Sequence, residues 1–110
     1  MACKKDRFDY RDVWTGTYTG TRNDQSWNMS NPITYDTTYA YSFVVSKPAS
    51  EDSITINGST FPITPEGTYY TSNSPGNYYD LRFVGDSCLI DYRSGGLGGY
   101  YFSSIRGKKE

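Results

Sequence analysis

The chain is 110 residues long and carries a formal net charge of -1, with two cysteines and no histidine. That length holds one hydrophobic core and excludes two. No basic stripe runs along it, so the phosphate neutralisation on which a nucleic-acid groove depends is absent from the sequence.

Aromatic residues make up 17 % of the chain, twelve of them tyrosines, which argues for a folded domain. Tyrosine, threonine, serine and glycine dominate, while strong helix formers are scarce. Tyrosine suits a sheet that is wet on one face and buried on the other. No apolar run approaches the roughly 18–20 residues of a membrane span, so an anchor is the expected form of any membrane contact.

Residues 1–8 open with Met-Ala-Cys-Lys-Lys-Asp-Arg and read as a polar tether. Ala2 before Cys3 matches the processed end of a lipoprotein signal, in which a small residue admits the processing enzyme and the cysteine sulfur takes the lipid. The competing reading is an arbitrary N-terminus that contains a cysteine. Asp9-Tyr10-Arg11-Asp12 predicts one helical turn capped by Asp6 or Asp9.

From Val13 the period becomes two. Trp14, Gly16, Tyr18 and Gly20 share one face, and Thr15, Thr17, Thr19 and Thr21 the other. The inward glycines predict strong coiling or close approach of a facing group. Residues 23–32 read as a polar connection holding Trp27 and Met29. Ile33, Tyr35, Tyr39, Tyr41, Phe43 and Val45 then alternate with polar positions, predicting a long strand.

Ile54 and Ile56 lead into Asn57-Gly58, the strongest short hairpin signal. Phe61 and Ile63 return, with Pro62 placing that strand at an edge. Thr68–Thr71 is a short strand, and residues 73–77 read as a loop. Tyr79, Leu81 and Phe83 alternate, Gly85-Asp86 turns, and Cys88, Ile90 and Tyr92 alternate again. Cys88 therefore falls on the apolar face as a buried, unreactive thiol. Residues 94–99 read as a glycine-rich loop, 100–106 as the last strand, and 108–110 as a tail closing a domain that spans 9–107.

About eight strands with hairpin-length links predict an all-β antiparallel meander, closed as an up-and-down barrel. A two-sheet β-sandwich uses the same alternation. The expected core comprises Trp14, Tyr18, Tyr39, Tyr41, Phe43, Ile54, Ile56, Leu81, Phe83, Ile90 and Ile105.

Trp14-Thr15-Gly16-Thr17-Tyr18-Thr19-Gly20, Tyr79-Asp80-Leu81-Arg82-Phe83, the glycine run at 95–99 and the closing Gly107-Lys108-Lys109 together resemble small exported lipoproteins of Bacteroidota-type bacteria. The resemblance spans nearly the whole chain and implies a lipid on Cys3 and an address at the outer membrane or cell surface; the periplasmic side is the other possible face. Most members of that group carry no assigned activity. A more distant resemblance is to the calycin barrels, such as lipocalins, whose first strand carries Gly-x-Trp after a short helical turn. Gly16-Thr17-Tyr18 takes that place with tyrosine for tryptophan, and the resemblance implies that Arg106 stacks on Tyr18.

The absence of histidine removes the Ser-His-Asp and Cys-His nucleophile pairs and histidine-ligated metals. Gly85-Asp86-Ser87 is like the start of an esterase motif but sits where a hairpin must turn. The glycine run at 95–99 feeds a strand, where a phosphate loop feeds a helix. Asp6, Asp9 and Asp12 lack the ligand spacing of a calcium loop and read as caps and ion-pair partners. Asp80 and Asp91 could be paired glycosidase carboxylates, but arginines at 82 and 93 favour exposed charge pairs.

The expectation is a non-catalytic binding module without metal or cofactor. Its ligand is a small molecule or partner held by the barrel, or a glycan or peptide on outward aromatics. Each tyrosine doublet must turn one ring inward and one outward. The outward candidates are Tyr70, Tyr78 and Tyr100, together with Trp27.

Overall fold

The computed structural model describes residues 9–29, 31–74, 77–96 and 98–110, with no side-chain description for 31–34, 73, 74 and 96. The expected tether and Cys3 lie outside the described residues. A 3-10 turn at Tyr10–Val13 is followed by β1 (Gly16–Asn28), β2 (Asn31–Ser46), β3 (Ser53–Ile56), β4 (Ser59–Pro62), β5 (Thr68–Ser74), β6 (Asn77–Val84), β7 (Ser87–Gly96) and β8 (Gly99–Lys109). These eight strands form one antiparallel sheet in the order β4-β3-β2-β1-β8-β7-β6-β5. Strands adjacent in sequence pair with one another except β4 and β5, which are the two edges, and β1 pairs with β8. The result is a meander curled into a nearly closed barrel, as the alternation predicts.

The seam lies between β4 and β5, where side chains bridge the two edges. Phe61 stacks on Tyr79 at 4.9 Å and leans on Tyr69 at 5.6 Å. Pro62 ends β4, an edge strand, where its missing N–H breaks no ladder. Asn57 and Gly58 take φ values of +47° and +90°, the left-handed pair that a two-residue hairpin turn needs.

The core fills one end of the barrel. Tyr18, Ile54, Leu81, Val45 and Cys88 are wholly buried there, with Trp14, Phe43, Ile56, Ile63, Phe83 and Ile90 packed around them. Trp14 stacks on Phe83 at 5.1 Å and Tyr18 on Phe43 at 5.3 Å. The 3-10 turn plugs this end. Asp9 caps it by accepting from the Arg11 backbone N–H at 3.0 Å, and the buried Arg11 guanidinium donates to the Ser50 and Ser53 carbonyls at 2.6 and 2.9 Å. Burial of Arg11 is supported by Asp9, which meets the same guanidinium at 2.9 Å.

The inward glycine of β1 matters at Gly20. A Cβ there would sit 1.9 Å from the Arg106 carbonyl oxygen, so β1 and β8 approach more closely at Gly20–Gly107 than any side chain permits.

Several expected boundaries are corrected. Residues 23–28 continue β1, and β2 begins at Asn31, so Trp27 sits on a strand where a connection was expected. Strands also run through 73–74 and 94–96, which were expected in loops, and β8 runs through Lys109, where a tail was expected. Tyr39 is 40 % exposed although it was expected in the core, because β3 is four residues long and leaves that part of β2 uncovered. Tyr41 and Ile105 are half-buried at the core's margin.

Candidate functional site

Along β1 the inward positions run from Tyr18 in the core through Gly20 to Arg22 and Asp24. The barrel interior therefore changes from apolar to polar along one strand. Asp24 is the hub of the polar end. It accepts from Arg22 Nε at 2.9 Å, the Tyr39 hydroxyl at 2.6 Å, the Tyr101 hydroxyl at 3.1 Å and the Ser103 hydroxyl at 2.9 Å. Three of these donors, Arg22, Tyr101 and Ser103, converge on Oδ1, and Tyr39 meets Oδ2.

Burial alone would raise the Asp24 pKa, but donation from Tyr39, Arg22 and Ser103 outweighs it and holds the group down at about 2. Burial likewise disfavours the Arg22 cation, yet the bonds to Asp24 and Tyr101 lift its pKa above the ordinary value. Tyr39 is raised by its bond to Asp24. Arg22 also donates from Nη2 to the Tyr101 hydroxyl at 3.2 Å and lies 5.1 Å from the centre of the Tyr41 ring. Its Nη1 has no hydrogen-bond partner among the described residues.

Beside this network lies a cavity of about 280 Å³. Tyr41, Phe61, Tyr79 and Tyr92 give it aromatic walls, Ile56, Ile90 and Ile105 an apolar floor, and Arg22, Asn57, Ser59 and Ser103 its polar groups. Arg22 is the one ionised side chain in that lining. Burial pushes the Tyr79 hydroxyl up to about 12, so it stays a neutral phenol. Asn57 forms the sill: it donates to the Tyr41 hydroxyl at 3.3 Å, and its Oδ1 accepts from the Val44 N–H at 3.1 Å.

The tyrosine doublets divide as expected, with Tyr69, Tyr79 and Tyr101 inward and Tyr70, Tyr78 and Tyr100 outward. Three of the four outward candidates come together. Trp27 pairs with Tyr100 across β1 and β8, Tyr78 pairs with Arg93 across β6 and β7, and the Arg93 guanidinium lies 4.8 Å from the Tyr100 ring centre. Tyr70 stands apart on β5, 64 % exposed.

The expected stacking of Arg106 on Tyr18 is not made. Arg106 pairs with Thr21 and Leu89 on the outer face and reaches Asp91 at 3.1 Å, whereas Tyr18 stacks on Phe43. Period two explains this: Tyr18 and position 106 lie on opposite faces of the sheet. Asp80 and Asp91 are direct cross-strand partners, and each is paired with an arginine: Arg82 at 3.7 Å from Asp80, and Arg106 from Asp91. Arg93, which was expected to join that charge pairing, stacks on Tyr100 instead. Cys88 is a free, buried thiol that burial pushes up to about 12.

Sequence reading missed Arg22, Asp24, Tyr101 and Ser103, because β1 beyond Thr21 is polar on both faces and its period carries no hydropathy signal. The usable signal was the continuation of the even-numbered inward row, Tyr18-Gly20-Arg22-Asp24. Compared with known protein families, with curated proteins and with solved structures, the chain matches none.

Proposed function

We propose that this chain is a non-catalytic binding module, held at a bacterial outer membrane or cell surface by a lipid on Cys3, that takes a small ligand or a partner's side chain at the open end of its barrel. The observation that supports this reading is the aromatic-walled cavity of about 280 Å³ beside a polar network already ordered around Asp24. Such sites combine apolar walls with a few fixed polar groups. Because Asp24 holds the surrounding hydroxyls and guanidinium in place, a ligand would pay little to organise them.

The test is a thermal-shift screen of small neutral, acidic and basic ligands against the domain, repeated with Ser59→Trp. Ser59 lines the cavity, so the indole would fill it. Hits that shift the native chain and lose the shift in the variant support the reading; no hits, or hits indifferent to the variant, defeat it. The anchor has its own test. Mass spectrometry of the full-length precursor expressed in its native host should show a diacylglycerol adduct that Cys3→Ser abolishes.

A second reading draws on the outer face, where Trp27, Tyr100, Arg93 and Tyr78 form a band across four strands. This band would serve a glycan or peptide. The Arg93 guanidinium, 4.8 Å from the Tyr100 ring centre, ties the band together. Binding lost in Trp27→Ala and retained in Ser59→Trp would favour the band over the cavity.

A further inference from the structure

The cavity's own charge balance narrows what it can hold. A site for a carboxylate or phosphate presents a cation in excess, and a site for an amine presents an anion in excess. This cavity presents neither. Arg22 is the single ionised group in its lining, and Asp24, which lies outside that lining, compensates its charge at 2.9 Å. An acidic ligand would have to share Arg22 with Asp24 and lie against its charge. A basic ligand would find no anion in the lining and would face Arg22.

What the cavity does offer is ring faces from Tyr41, Phe61, Tyr79 and Tyr92, and neutral hydrogen-bonding groups at Asn57, Ser59 and Ser103. Arg22 Nη1 adds a donor whose charge is already compensated. Its volume of about 280 Å³ lies just under the range of roughly 300–1,000 Å³ that suits drug-sized molecules, which points to a ligand of about one ring.

Resting on the binding reading above, we infer that the cavity takes a neutral, polyhydroxylated ring of the monosaccharide class, with its C–H face against the tyrosines and its hydroxyls toward Asn57, Ser59 and Arg22. A neutral sugar has both surfaces that this lining complements. A purely apolar ring would displace water from Asn57 and Ser59 without offering a hydrogen bond in return.

The test is saturation-transfer-difference NMR on the folded domain with glucose, galactose and mannose, beside glucuronate and glucosamine as charged counterparts. At least one neutral sugar should bind about tenfold more tightly than either charged one, a ratio that corresponds to about 1.4 kcal/mol. Ser59→Trp should abolish that signal; a signal lost in Trp27→Ala and kept in Ser59→Trp would put the sugar on the outer band and overturn the assignment to the cavity. Asp24→Asn uncovers the Arg22 charge, so relative affinity should shift toward glucuronate by about tenfold. The native preference stands as the independent measurement should Asp24→Asn fail to fold.

Glucuronate or glucosamine bound as well as the neutral sugars by the native protein would overturn the sugar assignment and leave the binding reading intact. The same holds if no sugar binds while the ligand screen yields hits that Ser59→Trp blocks. Loss of both, with no hit of any chemistry at the cavity, removes the binding reading together with this inference.

Discussion

Trp14 shows how much one side chain carries at the closed end. It stacks on Phe83, meets Tyr10 edge-on at 5.6 Å, and presses on Gly67, where a Cβ would fall 2.9 Å from the indole. Its carbonyl also accepts from the buried Tyr18 hydroxyl at 2.8 Å. Trp14→Ala should lower stability by about 3–5 kcal/mol, read as a reduced midpoint in chemical denaturation. An unchanged midpoint would contradict this placement. Asp24 makes a different prediction, because its contribution depends on protonation. Its folded pKa of about 2 lies below the ordinary 3.8, so its stabilising effect is complete above that ordinary value and is lost as pH falls toward 2. Asp9, held low first by its bond to Arg11, acts in the same direction. Asp24→Asn should therefore be less stable than the native chain near neutrality, and the gap should shrink by about pH 2.5, with Asp9 leaving a residual slope in both. Denaturation midpoints at the two pH values decide it; a constant gap would mean that Asp24 is not held ionised by its donors.

At the scale of elements, the short β3–β4 hairpin decides what is open and what is closed. The strand β2 spans 16 residues, but β3 pairs with it only at Val45 and Ser46. Asn57 extends that pairing by one step, through its N–H to the Val44 carbonyl and its side chain to the Val44 N–H. In an antiparallel ladder alternate residues point their N–H and C=O groups to the same side, so Ser42, Ala40, Thr38 and Asp36 point the way Val44 does. No described strand pairs with them on that side. Their amides should exchange with solvent far faster than those in the middle of β1 and β8, which are paired on both sides. Hydrogen-exchange NMR measures this directly, and equal protection would mean that another segment covers the edge. That same gap admits solvent to Tyr39 and to the cavity. It is also why the alternation in 33–45, which is correctly a strand, misplaces Tyr39 in the core: the pattern reports which face a residue is on and not whether anything lies over it.

At the scale of the whole molecule, closure depends on the last residues of the chain. Gly107, Lys108 and Lys109 pair with Gly20, Thr19 and Tyr18 on β1, and Lys109 and Glu110 donate backbone N–H groups to Asp86 and Thr17. Gly107 faces Phe43, to which a Cβ would come within 2.7 Å. Deleting residues 107–110 should lower the thermal midpoint by more than about 5 °C, since over a kcal/mol of pairing and packing is lost. A tail would leave the midpoint unchanged. The alternation of Trp14, Gly16, Tyr18 and Gly20, the Asn57-Gly58 turn, and the rows at 79–83 and 88–92 were legible in sequence, as was most of the core, because burial on one face writes a period of two directly into hydropathy. The polar end was not legible, because Arg22, Asp24 and Ser103 are inward residues of the same chemical kind as their outward neighbours. Local sequence therefore determined the apolar rows of the strands, the Asn57-Gly58 turn and the apolar end of the barrel. Only the tertiary structure decided that Arg22, Tyr39, Tyr101 and Ser103 meet at Asp24, since β8 had to close on β1 before one carboxylate could collect donors from three strands.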